Sequence, residues 1–409
     1  MEKYRSQVRM LALILMLALV SSLALAACAQ SQPAAPAAKS AEQAAQPAKT
    51  TTSPLKIGFV ASLSGFGAPM SEFPVQAFDL AVKDVNDGNI AGRQVTGVKV
   101  DDATDPKVAN EVCTRLVKDE KVSSIVVFAS GASRAACLPI AEAAGIPLIY
   151  AAGTEPGIKS PSWFSAGESS PQQVAPLVDY YIEKGAKSFF LFGEDYVYPQ
   201  TGVDFMQKYV PKKGGKVAGS DFVPMGTTEY SPVIAKIVQT GADTLLQMTA
   251  GSDEIALIKQ LRASPGTQNV GIGSTNLIAA TQQALGNLSK GVVVSFSYID
   301  AIKSAENDKF KAALKAQYGS KAAVPTHFGA MVYDAVNLVS LAAKKANSSD
   351  GKALIGALHE VSFTGPRGEI KFGSDGYATL PIFVGQAGGD GTYTILKSHP
   401  KVDLTEILK

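Results

Sequence analysis

Three features of the chain predict an α/β protein of two lobes, each built on a central parallel sheet. Short β-branched and aromatic runs alternate with amphipathic stretches, a rhythm that places helices on both faces of a parallel sheet. The runs are continuously apolar, as in the SIVVF segment at Ser124–Phe128, which strands buried on both faces require. Beyond residue 54 there remain 355 residues, more than one ordinary core holds, so two domains are expected.

The elements follow in order. Strands are predicted at Lys56–Ala61, Val98–Asp101, Ser124–Phe128 and Pro147–Tyr150, with helices at Val75–Asn86, Lys107–Lys118 and Arg134–Ala144 between them. The second half repeats the pattern, with strands at Ser188–Phe192, Lys216–Phe222, Thr244–Met248 and Val292–Ser297. Its helices are predicted at Pro171–Lys184, Gln200–Lys212, Tyr230–Thr240 and Glu254–Ala263. After residue 300 come two helical stretches, Asn307–Tyr318 and His327–Ala346, and then a glycine-punctuated antiparallel closing part. No short internal repeat is present, which argues against a solenoid or propeller.

The N-terminus places the chain outside the cytoplasm. Lys3, Arg5 and Arg9 precede an apolar stretch over residues 10–27, the charge-then-apolar layout of a secretory signal. At 18 residues the stretch also lies at the lower limit for a bilayer-spanning helix. Leu25-Ala26-Ala27-Cys28 decides between the two: it resembles the bacterial lipobox, which implies a lipid on Cys28 and a membrane anchor. Residues 29–54 contain no Leu, Ile, Val, Met or aromatic side chain and are expected to form a disordered tether. Without residues 1–27, 35 basic residues stand against 35 acidic ones, so no basic surface for nucleic acid is expected. With Cys28 set aside, Cys113 and Cys137 form an even pair in an exported chain, which points to a disulfide; two buried thiols are the alternative.

In parallel sheets ligands bind beyond the carboxyl ends of the strands, where helix N-termini present backbone N–H groups. The candidate contacts therefore lie on strand-end loops. Ser130, Ala132 and Ser133 open a helix with hydroxyls and free N–H groups suited to a carboxylate, while capping by Ser133 would account for the serines without a ligand. Tyr196 and Tyr198 offer apolar faces with a hydroxyl, and a core tyrosine is the competing account for one of them. Ser252, Asp253, Thr275 and Asn276 follow later strands. His327, His359 and His399 lack metal-ligand spacing, and no HExxH, GxxxxGK[ST] or GxSxG motif occurs, so no metal, cofactor or catalysis is expected.

The runs Ile57-Gly58-Phe59-Val60-Ala61-Ser62-Leu63-Ser64-Gly65, Asp84-Val85-Asn86 and Asp101-Asp102-Ala103-Thr104-Asp105-Pro106 resemble the leucine-binding-protein family. So do Gly145-Ile146-Pro147-Leu148-Ile149 and Phe363-x-Gly365-x-x-Gly368. These are type I periplasmic binding proteins, with two Rossmann-like lobes joined by a three-segment hinge. The segments Gly193–Pro199 and Val223–Tyr230 are similar to its amide- and urea-binding branch. With the signal peptide over 1–27 and the tether over 28–54, the resemblance implies a first lobe over 55–170 and a second over 171–298. Returns to the first lobe over 299–374 and to the second over 375–409 complete it, with crossovers near Ser165–Pro171, Ser297–Ala301 and Gly373–Gly376. It further implies a monomeric solute receptor that closes on a branched-chain amino acid, amide or urea for an ABC transporter permease; a sensor read by a membrane receptor is the alternative. Ala152 and Thr154 would take the ligand's polar groups, and Phe328 or His327 would wall the cleft. One departure stands out: Thr275-Asn276 occupies the place of the family's ammonium-binding carboxylate. Either Glu194, Asp195 or Asp253 replaces it, or the ligand carries no α-ammonium, since a buried unpaired ammonium costs several kcal/mol.

Overall fold

The computed structural model describes residues 53–65 and 67–409. The signal segment, Cys28 and nearly all of the tether lie outside the described residues. Two sheets organise the rest. The first has the order β2-β1-β3-β4-β5 and is parallel throughout. Its strands are β1 (Leu55–Ala61), β2 (Val95–Asp101), β3 (Ser124–Phe128), β4 (Leu148–Tyr150) and β5 (Trp163–Ser165). Helices α1 (Glu72–Asp87), α2 (Pro106–Lys118) and α3 (Gly131–Ala144) connect them. Local chemistry starts these helices: Asp105 accepts the N–H groups of Lys107 and Val108 ahead of Pro106 at the head of α2. Cys113 on α2 and Cys137 on α3 are joined by a disulfide, with their Cα atoms 5.6 Å apart.

The second half continues with α4 (Ser170–Glu183), β6 (Ser188–Glu194), α5 (Val197–Lys212), β7 (Lys216–Val223), α6 (Ser231–Thr240), β8 (Thr244–Met248), α7 (Gly251–Ala263), β9 (Gly271–Ser274), α8 (Ala279–Leu285) and β10 (Val293–Phe296). Helices α9 (Ala305–Tyr318), α10 (His327–Ala346) and α11 (Gly351–Leu358) pack into the apolar core of the first sheet, through residues such as Phe310, Val336 and Leu354. The chain then forms β11 (Ser362–Gly365), β12 (Gly368–Phe372), β13 (Ala378–Ala387), β14 (Tyr393–Val402) and α12 (Leu404–Ile407). The second sheet has the order β11-β12-β13-β10-β9-β8-β6-β7, with β14 also on β13. It is parallel from β7 to β10 and antiparallel where β13 joins. Two further cores cover its faces, one around Phe192, Tyr230 and Leu257, the other around Leu177, Phe189 and Met206.

The predicted α/β fold of two parallel-sheet lobes is present, as is the antiparallel closing part. Five elements were not foreseen, one of them the four-residue α12 at Leu404–Ile407. β5 (WFS) and β9 (GIGS) are three and four residues long, and glycine in β9 breaks the apolar run that marks a strand. α8 and α11, of seven and eight residues, are too short to display helical periodicity. Among the described residues no helix is long and apolar enough to cross a membrane.

Candidate functional site

The carboxyl ends of both parallel sheets carry the predicted loops. In the first lobe, Ser130 caps α3: its Oγ accepts the N–H of Ser133 at 3.1 Å, and it donates to Ser133 Oγ at 3.1 Å. Capping thus falls to Ser130, where Ser133 was the expected cap; Ser133 is buried, Ala132 exposed and Ser130 half-buried. A positive charge lies below this helix start. Arg134 is buried, pairs with Glu155 at 2.7 Å, and sits 5.5 Å and 5.4 Å over the rings of Tyr150 and Trp163. Its Nη1 has no partner among the described residues. The neighbouring loop after β1 is set by Asp101, whose carboxylate accepts the N–H groups of Leu63, Ser64 and Ala103 and the hydroxyl of Ser64.

The loop after β4 runs along the hinge. Thr154 is fully buried, forms a bridge to Ser169, and turns its hydroxyl to Glu155. Ala152 is buried beside it. Gly153 lies against the ring of Tyr198 from the second lobe, where a Cβ would approach to 3.0 Å. Tyr198 donates to Gln173 Oε1, and burial pushes its phenol well up, so the hydroxyl stays protonated. Tyr196 is raised in the same way, burial first and then the nearby charges of Glu194 and the Tyr150 phenol. Tyr150, Tyr196 and Tyr198 therefore gather where the two lobes meet. Phe328 is half-buried, 5.3 Å from Phe128 and 4.0 Å from His327. His327, expected with Phe328 as a candidate wall of the cleft, is buried and stacked on Phe296 at 4.3 Å; desolvation, then Arg367, brings its pKa down to about 3 and keeps it neutral.

The floor of the second lobe is acidic. Glu194 ends β6, buried, accepting the Ala250 N–H at 3.3 Å. Burial above all, and Asp253 beside it, bring its pKa up to about 7 against one backbone N–H that lowers it. Asp253 accepts the Gly226 N–H at 2.6 Å and the Ser252 hydroxyl at 3.1 Å, while Ser252 itself is exposed. Glu254, fully buried, takes Gln247 and Ser274 on Oε1 and is brought up to about 8, chiefly by burial. Its Oε2 and the Tyr230 hydroxyl are buried without partners among the described residues. Thr275 is buried and offers its carbonyl to Gln173 at 2.8 Å; half-buried Asn276 donates to Thr275 Oγ1 at 3.2 Å. The predicted contacts thus form a first-lobe group (Ser130, Ala132, Ser133), a junction group (Ala152, Thr154, Tyr196, Tyr198) and a second-lobe group (Ser252, Asp253, Thr275, Asn276).

Sequence reasoning missed the hub between the lobes. Arg367, fully buried, donates from Nε to Asp334 at 2.6 Å, from Nη1 to Ser297 Oγ at 2.9 Å and from Nη2 to the Ala166 carbonyl at 2.8 Å. Ser297 in turn donates to Glu168 at 2.6 Å. Ala166 and Glu168 follow β5, and Ser297 follows β10, so one guanidinium fastens two of the passages between the sheets. Arg367 falls at an unspecified position of the Phe363-x-Gly365-x-x-Gly368 run, and no local pattern marks it as a hub.

A family model described as periplasmic binding protein matches residues 54–392. The Leu/Ile/Val-binding protein homolog 6 of Brucella suis is 23% identical over 355 residues, covering 83% of this chain and 89% of its own. The leucine-, isoleucine-, valine-, threonine- and alanine-binding protein of Pseudomonas aeruginosa is 23% identical over 335 residues, 79% of this chain and 86% of its own. Two solved structures share the fold. A solute binding protein of an ABC transporter from R. palustris, in complex with benzoate, superposes with a TM-score of 0.74 at 24% identity, over 86% of this chain and 98% of that one. A leucine binding protein from Thermotoga maritima gives 0.75 at 19% identity, over 86% and 99%. A family match over residues 54–392, carried by two lobes of parallel sheet with an aromatic junction between them, makes this chain a type I periplasmic binding protein of the leucine-binding family, extracytoplasmic solute receptors of ABC transporters.

Proposed function

We propose that this chain captures a small carboxylate with an apolar or aromatic body by closing its lobes, and delivers it to an ABC importer from a lipid anchor on Cys28. One observation carries the reading: a helix start with free N–H groups, backed by the Arg134 cation, stands next to a junction of tyrosines. The N-terminus of α3 and Arg134 favour an anionic head, and Tyr150, Tyr196, Tyr198 and Phe328 favour a flat apolar body. The R. palustris relative in complex with benzoate is consistent with this class. A second reading, a branched-chain amino acid, is favoured by the Glu194–Asp253 pair, which would neutralise an α-ammonium, and by the relatives named for leucine, isoleucine and valine. The amide and urea class stays as a third arm of the test.

Calorimetric titration with benzoate, 4-hydroxybenzoate, L-leucine, acetamide and urea separates these classes. Benzoates are expected to bind and to raise Tm; binding of L-leucine alone replaces the first reading by the second, and silence of all five rejects the cleft chemistry. Ser130→Ala together with Thr154→Ala should weaken the bound ligand about tenfold or more, the loss of one or two polar contacts. For the anchor, Cys28→Ala should release the protein from the membrane fraction; retention there would overturn the lipid assignment.

A further inference from the structure

Two consecutive glutamines, Gln172 and Gln173, lie in the first turn of α4, directly after one passage between the sheets, and both are buried. An amide side chain has two ends of opposite polarity, and its neighbours decide which way it points. Gln172 Nε2 donates to the Ala378 and Val402 carbonyls at 2.9 Å each, while its Oε1 accepts the N–H and hydroxyl of Ser169. The head of α4 is fixed by these bonds. Gln173 reaches into the second lobe, where Nε2 donates to the Thr275 carbonyl beyond β9 and to the Ser295 carbonyl in β10, at 2.8 Å each. Carbonyls only accept, so both amide protons are committed and the amide admits one orientation.

What remains of Gln173 is its oxygen, and that oxygen receives the hydroxyl of Tyr198. An amide oxygen brings no proton, so the phenol must donate, and burial, which pushes that phenol well up, keeps the proton on it. A phenol has one proton, so toward any further partner the Tyr198 oxygen can only accept. Its ring is half-buried where the lobes meet: a Cβ on Gly153, in the loop after β4, would come within 3.0 Å of the ring and 3.2 Å of the hydroxyl oxygen. Tyr150 is set in the same sense, donating to the Ala129 carbonyl at 2.9 Å. No hydrogen bond among the described residues fixes the Tyr196 hydroxyl, which is free to turn either way.

Resting on the reading above, in which a carboxylate head sits at the start of α3, we infer that Gln173 is a positioning residue that sets the polarity of the cleft. By taking the Tyr198 proton it makes Tyr198 an acceptor toward the ligand, and so selects, within that class, a carboxylate that also carries an O–H or N–H donor. A carboxylate turned the other way round would meet a lone pair at Tyr198 in place of a proton. The same bond therefore decides which end of the ligand lies at which lobe. A site built to accept a donor discriminates against an analogue that lacks one, because its own polar group is then buried unpaired.

The mature protein is titrated with 3- and 4-hydroxybenzoate and with 3- and 4-fluorobenzoate, in which a group of similar size donates nothing. At one ring position or both, the hydroxyl compound should bind about tenfold or more tighter than its fluoro counterpart, the worth of about one hydrogen bond. In Tyr198→Phe that ratio should fall to about twofold or less. It should fall as far in Gln173→Met, which keeps Tyr198 but frees its proton to turn to the ligand; a general loosening of the fold would lower both affinities and leave the ratio where it was. A second readout needs no ligand. The tyrosine Raman doublet distinguishes a phenol that donates from one that does not, and the difference between wild type and Tyr198→Phe should show a strong donor. The same difference in the Gln173→Met background should lose that signature. If Gln173→Met does not fold, the ratio in Tyr198→Phe and the wild-type donor signature still decide. Equal affinities for hydroxyl and fluoro compounds, a ratio unchanged in either variant, or a donor signature absent from wild type or surviving Gln173→Met overturns the inference. Failure of all four compounds to bind overturns its ligand half together with the reading beneath it, while the Raman difference decides the Gln173 half separately.

Discussion

Two clusters of buried charge divide the labour of this molecule, and they are balanced in opposite ways. At the hub, Asp334 and Glu168 share the surroundings of Arg367, whose donors reach Asp334, Ser297 and the Ala166 carbonyl. On the floor of the second lobe, Glu194, Asp253 and Glu254 gather with no cation among their hydrogen-bond partners in the described residues; Glu194 and Glu254 rise to about 7 and about 8 instead. Low dielectric permits both solutions, since a buried acid either finds a counter-charge or keeps its proton. The hub therefore carries its own cation, although burial still brings Asp334 up to about 6 and leaves its Oδ1 without a partner among the described residues, whereas the floor holds protons that a cationic ligand group would displace.

Removing the counter-charge tests the hub and carries the largest expected effect. Arg367→Met leaves Asp334 and Glu168 buried without their cation, and should cost about 3–5 kcal/mol in denaturant unfolding. Adding Asp334→Leu to that variant should recover a good part of the loss, because an apolar pair of similar volume is often as stable as a buried ion pair. If Arg367→Met costs under about 1 kcal/mol, the hub is not the electrostatic anchor described above.

The contrast also explains what could be read from the chain. Strands such as SIVVF and helix starts such as Asp105-Pro106 are legible because their causes are local: apolar runs, caps and glycine stops. The disulfide was legible from cysteine number and compartment, with both sulfurs on neighbouring helices. The hub was not, because Ala166, Glu168, Ser297, Asp334 and Arg367 are drawn together only by tertiary folding from across some 200 residues. His327 illustrates the same limit. A histidine at a helix start reads as exposed, and only the arrival of Phe296 and Phe328 at the same place buries it. On the floor, Glu194 and Asp253 were visible as candidates for a missing carboxylate, while Glu254 sat inside a helical pattern that gave no sign of its burial.

The floor is sharpened next, through pH. Glu254 has its pKa raised from 4.5 to about 8, chiefly by burial. Between those values the folded state holds a proton that the unfolded chain has lost, so this group's contribution is complete below about pH 4.5 and is lost as pH rises toward 8. Glu254→Gln, which cannot ionise, should flatten the decline of Tm over that window and make the protein more stable than wild type at pH 8, by about 1 kcal/mol or more. Equal slopes for the two proteins would show that Glu254 is not held neutral by its surroundings.

The smallest effect on stability, and the finest test of the comparison, comes from Glu194→Gln. Glu194 is raised from 4.5 to about 7, a smaller shift than that of Glu254, and glutamine keeps an oxygen for the Ala250 N–H, so by the same linkage the variant should be more stable than wild type at pH 7, by about 1 kcal/mol. Ligand choice then separates the two readings of the floor. If the cleft takes a carboxylate with an apolar body, the acid pair stands idle, and benzoate should bind the variant within about twofold of wild type. If the floor receives an ammonium, L-leucine should lose about tenfold or more, because the charge that replaced the proton is gone. In the second case wild type should also take up L-leucine with release of protons near pH 7, seen as a binding heat that depends on the ionisation enthalpy of the buffer, and the variant should show little of that dependence. Tight L-leucine binding that neither Glu194→Gln nor the buffer alters would break the comparison, since the floor would then be as self-contained as the hub.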